Sequence, residues 1–348
     1  MDVFLSLTLV VALAWIAMTG LIRWAPALDL MDYPGGRKQH AHGTPVVGGL
    51  AIAISLLPLS AHYAQDPLTV SAWGLGSLLL MLLGWLDDIS ELHPVRRLLL
   101  HVLAGSFLIP PGLVLQHLGN ITGLGVLQLG WLAIPLTLFA VAASINAMNM
   151  IDGVDGLLGM VTLPALVMIS YLAHRAGLPL ERLIAAALAV SLLVFLVFNF
   201  RFPWVKHARV FMGDAGSTLM GFNLAFLVIS LAVKGAMPGV LALYMLCLPL
   251  LDTAGVIVRR RLRGVSAATP GRDHLHHILL DAGFSVRATA TLMGAVSLLL
   301  AAGGVAAWLM GVTEFALFVI FLIMLVAYLL AFRSAQQAAG ILRQLIRV

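Results

Sequence analysis

The sequence is poor in charge. Of its 348 residues only 10% are Asp, Glu, Lys or Arg, less than half of the ~25% usual in soluble domains. Hydrophobic residues make up 61%, and the mean hydropathy is +1.04. This composition suits a lipid bilayer rather than water. In hydrocarbon each spanning segment must satisfy its own backbone hydrogen bonds, which leaves helices or a closed barrel. The apolar runs are continuous rather than alternating, which favours helices. A single cysteine, Cys247, lies inside an apolar run. It excludes an intramolecular disulfide and reads as a small buried hydrophobe. Aromatic residues do not interleave with the basic ones, so the net charge of +5 does not describe a nucleic-acid surface. No fixed-period repeat and no low-complexity linker divides the chain, so one integral membrane domain over 1–348 is expected.

Eleven apolar segments are candidate spans: 3–22, 46–63, 70–86, 98–115, 131–148, 156–174, 182–199, 216–233, 239–258, 288–310 and 315–332. The first has Asp2 before it and Arg23 after it; lacking a basic leading flank, it reads as a membrane helix rather than a secretory signal. Pro110 and Pro111 should kink or break the fourth. Eleven crossings put the termini on opposite sides. Seventeen of the twenty Lys and Arg fall on the side reached after the first span, against Arg175, Arg182 and Lys234 on the other. The positive-inside rule makes the richer side cytoplasmic, with a periplasmic N-terminus and a cytoplasmic C-terminus. All carboxylates except Asp2, Asp66, Glu181 and Glu314 share that side. Acidic residues contribute little to orientation, so their gathering points to a cytoplasmic site that uses negative charge beside positive.

Five loops on that side carry the chemistry. Residues 35–49, G-G-R-K-Q-H-A-H-G-T-P-V-V-G-G, offer Arg37, Lys38 and His40 to an anion, although taken alone the loop reads better as an orientation-setting basic stretch. It is no Walker loop, because no glycine precedes Lys-Ser or Lys-Thr. Residues 84–97 include the adjacent acids Asp87 and Asp88 at a helix end. Such a pair repels itself unless a cation or arginine neutralises it, and hard oxygen ligands suit Mg²⁺. Residues 146–156, N-A-M-N-M-I-D-G-V-D-G, set Asp152 and Asp155 three apart, and Asn146 and Asn149 repeat the spacing one turn earlier. On a helix these would share a face, extending a polar seam into the membrane. Residues 209–218, R-V-F-M-G-D-A-G-S-T, place Asp214 before a span, where a helix N-cap is the plain alternative. Residues 271–277, G-R-D-H-L-H-H, bring Arg272, His274, His276 and His277, which could hold phosphate oxygens. Zinc fits less well, with no Cys nearby and the carboxylates calling for a harder ion. His62, His101, His117 and His174 read as interfacial or packing residues. Asp252 is either a functional ionisable group near a span end or a partner of the arginines after it. Acids, bases, imidazoles and glycines on one face are what a metal-bound pyrophosphate substrate would require.

The motifs D-D at 87–88, N-A-M-N-M-I-D-G-V-D-G-L at 146–157, F-M-G-D-A-G-S at 211–217 and H-L-H-H at 274–277 resemble, in the same order, the polyprenyl-phosphate N-acetylhexosamine-1-phosphate transferases. The likeness runs from about residue 32 to 285. Leu275, interrupting the histidines, and the stretch L-P-L-L-D-T resemble the WecA/TagO/WbpL branch more than the related MraY branch. The resemblance implies a polytopic, all-α membrane enzyme with its site on the cytoplasmic face of a bacterial inner membrane. It implies transfer of N-acetylglucosamine 1-phosphate from UDP-N-acetylglucosamine to undecaprenyl phosphate with release of UMP, using Mg²⁺ or, in its place, Mn²⁺. Such a step initiates lipid-linked surface glycans of O-antigen, enterobacterial common antigen or teichoic acid type. UDP-N-acetylfucosamine, UDP-N-acetylquinovosamine and the muramoyl-pentapeptide sugar are the alternative donors. A homodimer stays open, and a secondary transporter of an anionic solute is the rival of another class. By the same resemblance Asp87 and Asp88 would serve the lipid phosphate and the metal, and Asp214 would be a metal ligand. Asn149, Asp152 and Asp155 would line the nucleotide pocket beside Asn146, with Asp155 at the uracil. His274, His276 and His277 with Arg272 would hold sugar and phosphate. Direct attack of the lipid phosphate on the β-phosphorus is favoured over a covalent aspartyl intermediate.

Overall fold

The structure is a computed structural model that describes residues 3–33, 43–60, 66–90, 92–266 and 271–346. Fourteen helices are found among the described residues. The first eight are α1 (Val3–Trp24), α2 (Gly48–Ser60), α3 (Pro67–Ser90), α4 (Pro94–Ser106), α5 (Ala133–Ile151), α6 (Leu157–Arg175), α7 (Pro179–Asn199) and α8 (Gly213–Val233). The others are α9 (Val240–Met245), α10 (Cys247–Leu262), α11 (Leu275–Ala282), α12 (Val286–Leu309), α13 (Glu314–Ala331) and α14 (Ala335–Ile346). Two short strands, β1 (Met31–Asp32) and β2 (Thr44–Pro45), pair antiparallel with Met31 opposite Pro45.

Eight helices among the described residues are long and apolar enough to cross a membrane: α1, α3, α5 with the 3-10 turn ahead of it, α6, α7, α8, α12 and α13. The protein is a multi-pass, all-α membrane protein. Each of the eleven expected spans falls on helix among the described residues, and two depart from the expected length. The second span, α2, is described for 13 residues from Gly48. The fourth span, α4, stops at Ser106, four residues before Pro110, whose ring would clash with the Ser106 carbonyl in a continued helix. The ninth is interrupted at Leu246 (φ −107°, ψ 15°) between α9 and α10. There Pro249 forbids the bond to Met245 that an unbroken helix would need.

The centre of the bundle is α8. Buried residues make up 89% of its apolar window, against 17% for α13 and 22% for α1. It packs against α2, α3 and α5, while α6 packs against α7 and α12. At the start of α8 the backbones nearly touch: a Cβ on Gly49 or on Gly84 would overlap the main chain at Gly216 or Ala215. Small residues permit this approach between apolar helices. It gathers the start of α2 and the end of α3 at the N-terminus of α8, where the conspicuous loops lie. Cys247 is buried, as its surroundings in the sequence suggest. At the far end of α8, buried Glu181 accepts hydrogen bonds from Ser230 Oγ and Lys234 Nζ, both at 2.6 Å.

Candidate active site

The acid pair at the end of α3 escapes self-repulsion by dividing its partners. Asp87 is buried, pairs with Arg97 Nη1 at 3.0 Å and accepts from the Leu92 N–H at 2.6 Å. Asp88 accepts from the main-chain N–H groups of Asp214 (2.9 Å) and Ala215 (3.4 Å). A carboxylate from α3 thus caps the positive end of α8. Gly213 (φ +76°) permits the approach, since a Cβ there would overlap Asp88 and Val46. Asp214 is therefore not the N-cap that its position suggests; Met212 is, without a side-chain bond. The Asp214 carboxylate instead accepts from Asn149 Nδ2 at 2.6 Å, and Asn149 Oδ1 accepts from Arg97 Nη2 at 2.6 Å. Arg97 ties three of the motifs together.

Asp152 and Asp155 do not share a helical face. The helix α5 ends at Ile151, Asp152 is its C-cap with ψ 62°, and the chain turns through Gly153 and Gly156 (φ +79°). The two carboxylates reach the same cleft from this loop. Asp155 Oδ2 accepts from Arg201 Nε at 2.6 Å. Asn199 fastens the loop, accepting from the Gly156 N–H at 2.5 Å and donating to the Val210 carbonyl at 2.7 Å. Burial, reinforced by the charges of Asp214, Asp88 and Asp155, pushes the Asp152 carboxyl up to about 8. Negative charge in the cleft thus exceeds what its own cations offset.

The histidine motif stands beside that loop. Asp252, 1% exposed, accepts from the Leu275 N–H at 2.8 Å and from Tyr328 Oη at 2.9 Å, and meets His274 Nδ1 at 2.8 Å. It pairs with none of the arginines after it among the described residues. His276 stacks on His274, with centroids 5.4 Å apart, and fills the space a Cβ on Gly153 would need. Burial, then the neighbouring His277, lowers His276 to about 3; burial, then Arg272, lowers His277 to about 4. Both are neutral near pH 7, and their buried Nδ1 atoms have no hydrogen-bond partner among the described residues.

A cleft of about 650 Å³ joins these parts, with Asp29, Asp32, Asp88, Asp152, Asp155, Asp214, Arg201, Arg272 and His277 in its lining. Asp88, Asp152, Asp155, Asp214, Arg272 and His277 are thus brought together as the sequence anticipates. Asp87, Asn149, His274 and His276 stand behind them. Asn146 lies deeper in the helix, donating to the Ala142 carbonyl at 2.7 Å and meeting His101 Nδ1 at 3.2 Å. Arg272 pairs with Asp281 at 2.9 Å at the rim. Arg37, Lys38 and His40 lie outside the described residues, which resume on either side at β1 and β2. The sequence does not mark Arg201, Asn199, Asp29 or Asp32 as site residues; only a partner 46 positions away shows what Arg201 does.

Among the described residues no three His, Cys, Asp or Glu side chains form a ready metal cage. Asp87 is held by Arg97 and Asp88 by the α8 amides, and Asp214 lies close to both. The donor chemistry still fits a hard cation, because Mg²⁺ usually takes one or two carboxylates and completes its shell with substrate phosphate and water.

Fold and cleft define a polytopic membrane protein with an acid-rich site at the N-terminal end of its central helix. Residues 70–232 match the sequence profile described as glycosyl transferase family 4. The chain is 32% identical to the undecaprenyl-phosphate alpha-N-acetylglucosaminyl 1-phosphate transferase of Yersinia pestis over 88% of its own length and 82% of that protein. The protein of the same name from Escherichia coli K12 is 32% identical over 88% and 83%, and that from Haemophilus influenzae 35% over 96% and 94%. The chain belongs to this family, the polyprenyl-phosphate N-acetylhexosamine-1-phosphate transferases.

Proposed function

We propose that the protein transfers N-acetylglucosamine 1-phosphate from UDP-N-acetylglucosamine to undecaprenyl phosphate and releases UMP, initiating a lipid-linked surface glycan. The observation that carries this reading is the cleft itself. Four motif carboxylates from three loops meet Arg201, Arg272 and a neutral His277 at one end of the bundle. There a lipid phosphate at the interface can meet a nucleotide from water. A phosphate monoester has its second pKa near ~6, so the lipid phosphate is mostly dianionic at pH 7. It attacks the β-phosphorus, the bond from that phosphorus to the bridging oxygen breaks, and UMP leaves with that oxygen's electron pair. No strong base is required; positioning and charge neutralisation carry the acceleration.

Each residue then has a task. Asp155, held by Arg201, presents an acceptor to the nucleotide, and Arg272 and His277 offer donors to phosphate and sugar. Asn149 and Arg97 hold Asp214 in place. Asp214 with Asp88, and Asp87 close by, would hold Mg²⁺ or Mn²⁺, which when bound supplies the charge that offsets two phosphate groups. The seventeen-to-three distribution of Lys and Arg supports a cytoplasmic cleft in a bacterial inner membrane, a periplasmic N-terminus and a cytoplasmic C-terminus. Purified protein given undecaprenyl phosphate and a panel of UDP-sugars should turn over UDP-N-acetylglucosamine fastest, forming UMP and lipid product in equal amounts. Preference for another UDP-N-acetylhexosamine would reassign the sugar, and turnover of none would overturn the reading.

A further inference from the structure

A second cavity, of about 990 Å³, opens between the last turn of α10, α11 and α14. Its charged lining is five arginines, Arg259, Arg263, Arg272, Arg333 and Arg343, against Asp273 and Asp281: five less two leaves +3. Both carboxylates already have partners. Asp273 pairs with Arg263 at 2.7 Å and Arg260 at 3.3 Å, and Asp281 with Arg272 at 2.9 Å. Among the described residues Arg259, Arg333 and Arg343 have no carboxylate. Buried Arg259 donates to the main-chain carbonyls of Phe332 and Asp273, and its Nε has no partner. Arg343 donates to the carbonyl of Asp281.

Arginines held this close without counter-charge repel one another, and their planar forks match the oxygens of a phosphate group. Position selects among phosphates. The membrane-crossing helix α13 ends at Ala331, so Arg333 stands just past it, at headgroup depth. Leu262, 71% exposed, adds an apolar wall to the same cavity. A soluble anion has no use for that wall, whereas an acyl chain does. The helix α14 sets Ala338 and Ala339 against Ile278 and Ala282 of α11, which holds Arg343 over the opening. We propose that this pocket binds the headgroup phosphate of an anionic phospholipid from the leaflet on the cleft's side of the membrane. Basic pockets on that side of the membrane bind the headgroups of such lipids. Arg272 lines both cavities, so a bound lipid also steadies the segment that carries the histidine motif.

The test uses delipidated full-length protein in neutral detergent, titrated with phosphatidylglycerol, phosphatidylcholine or inorganic phosphate. Native mass spectrometry reads adducts, and the unfolding midpoint reads stabilisation. Phosphatidylglycerol should bind and raise the midpoint where phosphatidylcholine and phosphate do not. The double variant Arg333→Gln/Arg343→Gln should weaken it by about tenfold or more. Transfer to undecaprenyl phosphate in detergent alone should be unchanged. Should the double variant fail to fold, Arg333→Lys/Arg343→Lys keeps the charge without the fork and should bind more weakly than the native protein. Equal phosphatidylglycerol binding by native protein and variant would overturn the proposal. So would equal protection by inorganic phosphate, which assigns the pocket to a soluble anion. Loss of undecaprenyl phosphate binding instead would make the pocket part of the acceptor site.

Discussion

The carboxylate of Asp88 accepts a hydrogen bond from the main-chain N–H of Asp214 at 2.9 Å, fastening the end of α3 to the start of α8. The same contact gives α8 its cap and places a second acid beside Asp214. Asp88→Asn keeps an oxygen for the cap and removes only the charge. Stability should hold or rise, because the capping oxygen stays while one charge leaves a cleft crowded with carboxylates, whereas transfer falls about 100-fold or more. Asp214→Asn, which keeps an acceptor for Asn149, should behave alike. Unfolding midpoints and steady-state rates separate the two effects; near-normal turnover by both variants would leave the two carboxylates structural roles only.

Arg201 and Asp155 meet at 2.6 Å, so their contributions should not add. Arg201→Gln and Asp155→Asn should each raise KM for the UDP-sugar, and the double variant should lose less than the sum. A coupling of about 0.5–3 kcal/mol is the range for residues in contact. A coupling of zero in the double-mutant cycle would mean that the pair does not act as a unit.

Much of this was legible in the sequence. The charge deficit and unbroken apolar runs give a helical membrane protein, and Asp88, Asp152, Asp155, Asp214, Arg272 and His277 do meet in one cleft. Periodicity misplaces the Asp152–Asp155 loop, because glycines end α5 at Ile151 before the helical spacing can apply. Arg97, Arg201 and Tyr328 were illegible as site residues for another reason. What makes them site residues is partners 46 to 76 positions distant. The basic segment with Arg37, Lys38 and His40 carries an expectation on which the described residues are silent.

Asp252 should act as a positioning residue through its 2.8 Å contact with His274 Nδ1. Asp252→Asn keeps an acceptor for the Leu275 N–H but changes which His274 nitrogen carries the proton. A loss of about 10–100-fold is usual when a partner orienting a functional histidine is removed, here expected in kcat with little change in KM. Tyr328→Phe leaves the aspartate in place and should cost less. The pH profile of kcat/KM should shift in Asp252→Asn; an unchanged profile with a merely lowered unfolding midpoint would make the contact structural.

With a folded-state value of about 8 against an ordinary 3.8, Asp152 binds a proton more tightly in the folded protein. Stability from this group is full below pH 4 and is lost as pH rises through 8. His276 and His277, lowered to about 3 and 4, act oppositely, losing stability as pH falls below about 6.5. Between about pH 6.5 and 8 Asp152 therefore contributes without those two histidines. In chelator and without substrate, the unfolding midpoint should decline across that window, and Asp152→Asn should flatten the decline. Identical slopes in native protein and variant would refute the crowding of charge in the cleft.

The transfer itself can be followed by its phosphorus. Purified protein is supplied with undecaprenyl phosphate and UDP-N-acetylglucosamine labelled with ³²P at the β-phosphate only. The label should pass into the lipid fraction with the sugar, matched mole for mole by unlabelled UMP. Label remaining in water-soluble UDP while the sugar enters the lipid would mean glycosyl rather than phosphoryl transfer, and would contradict the assignment of this cleft.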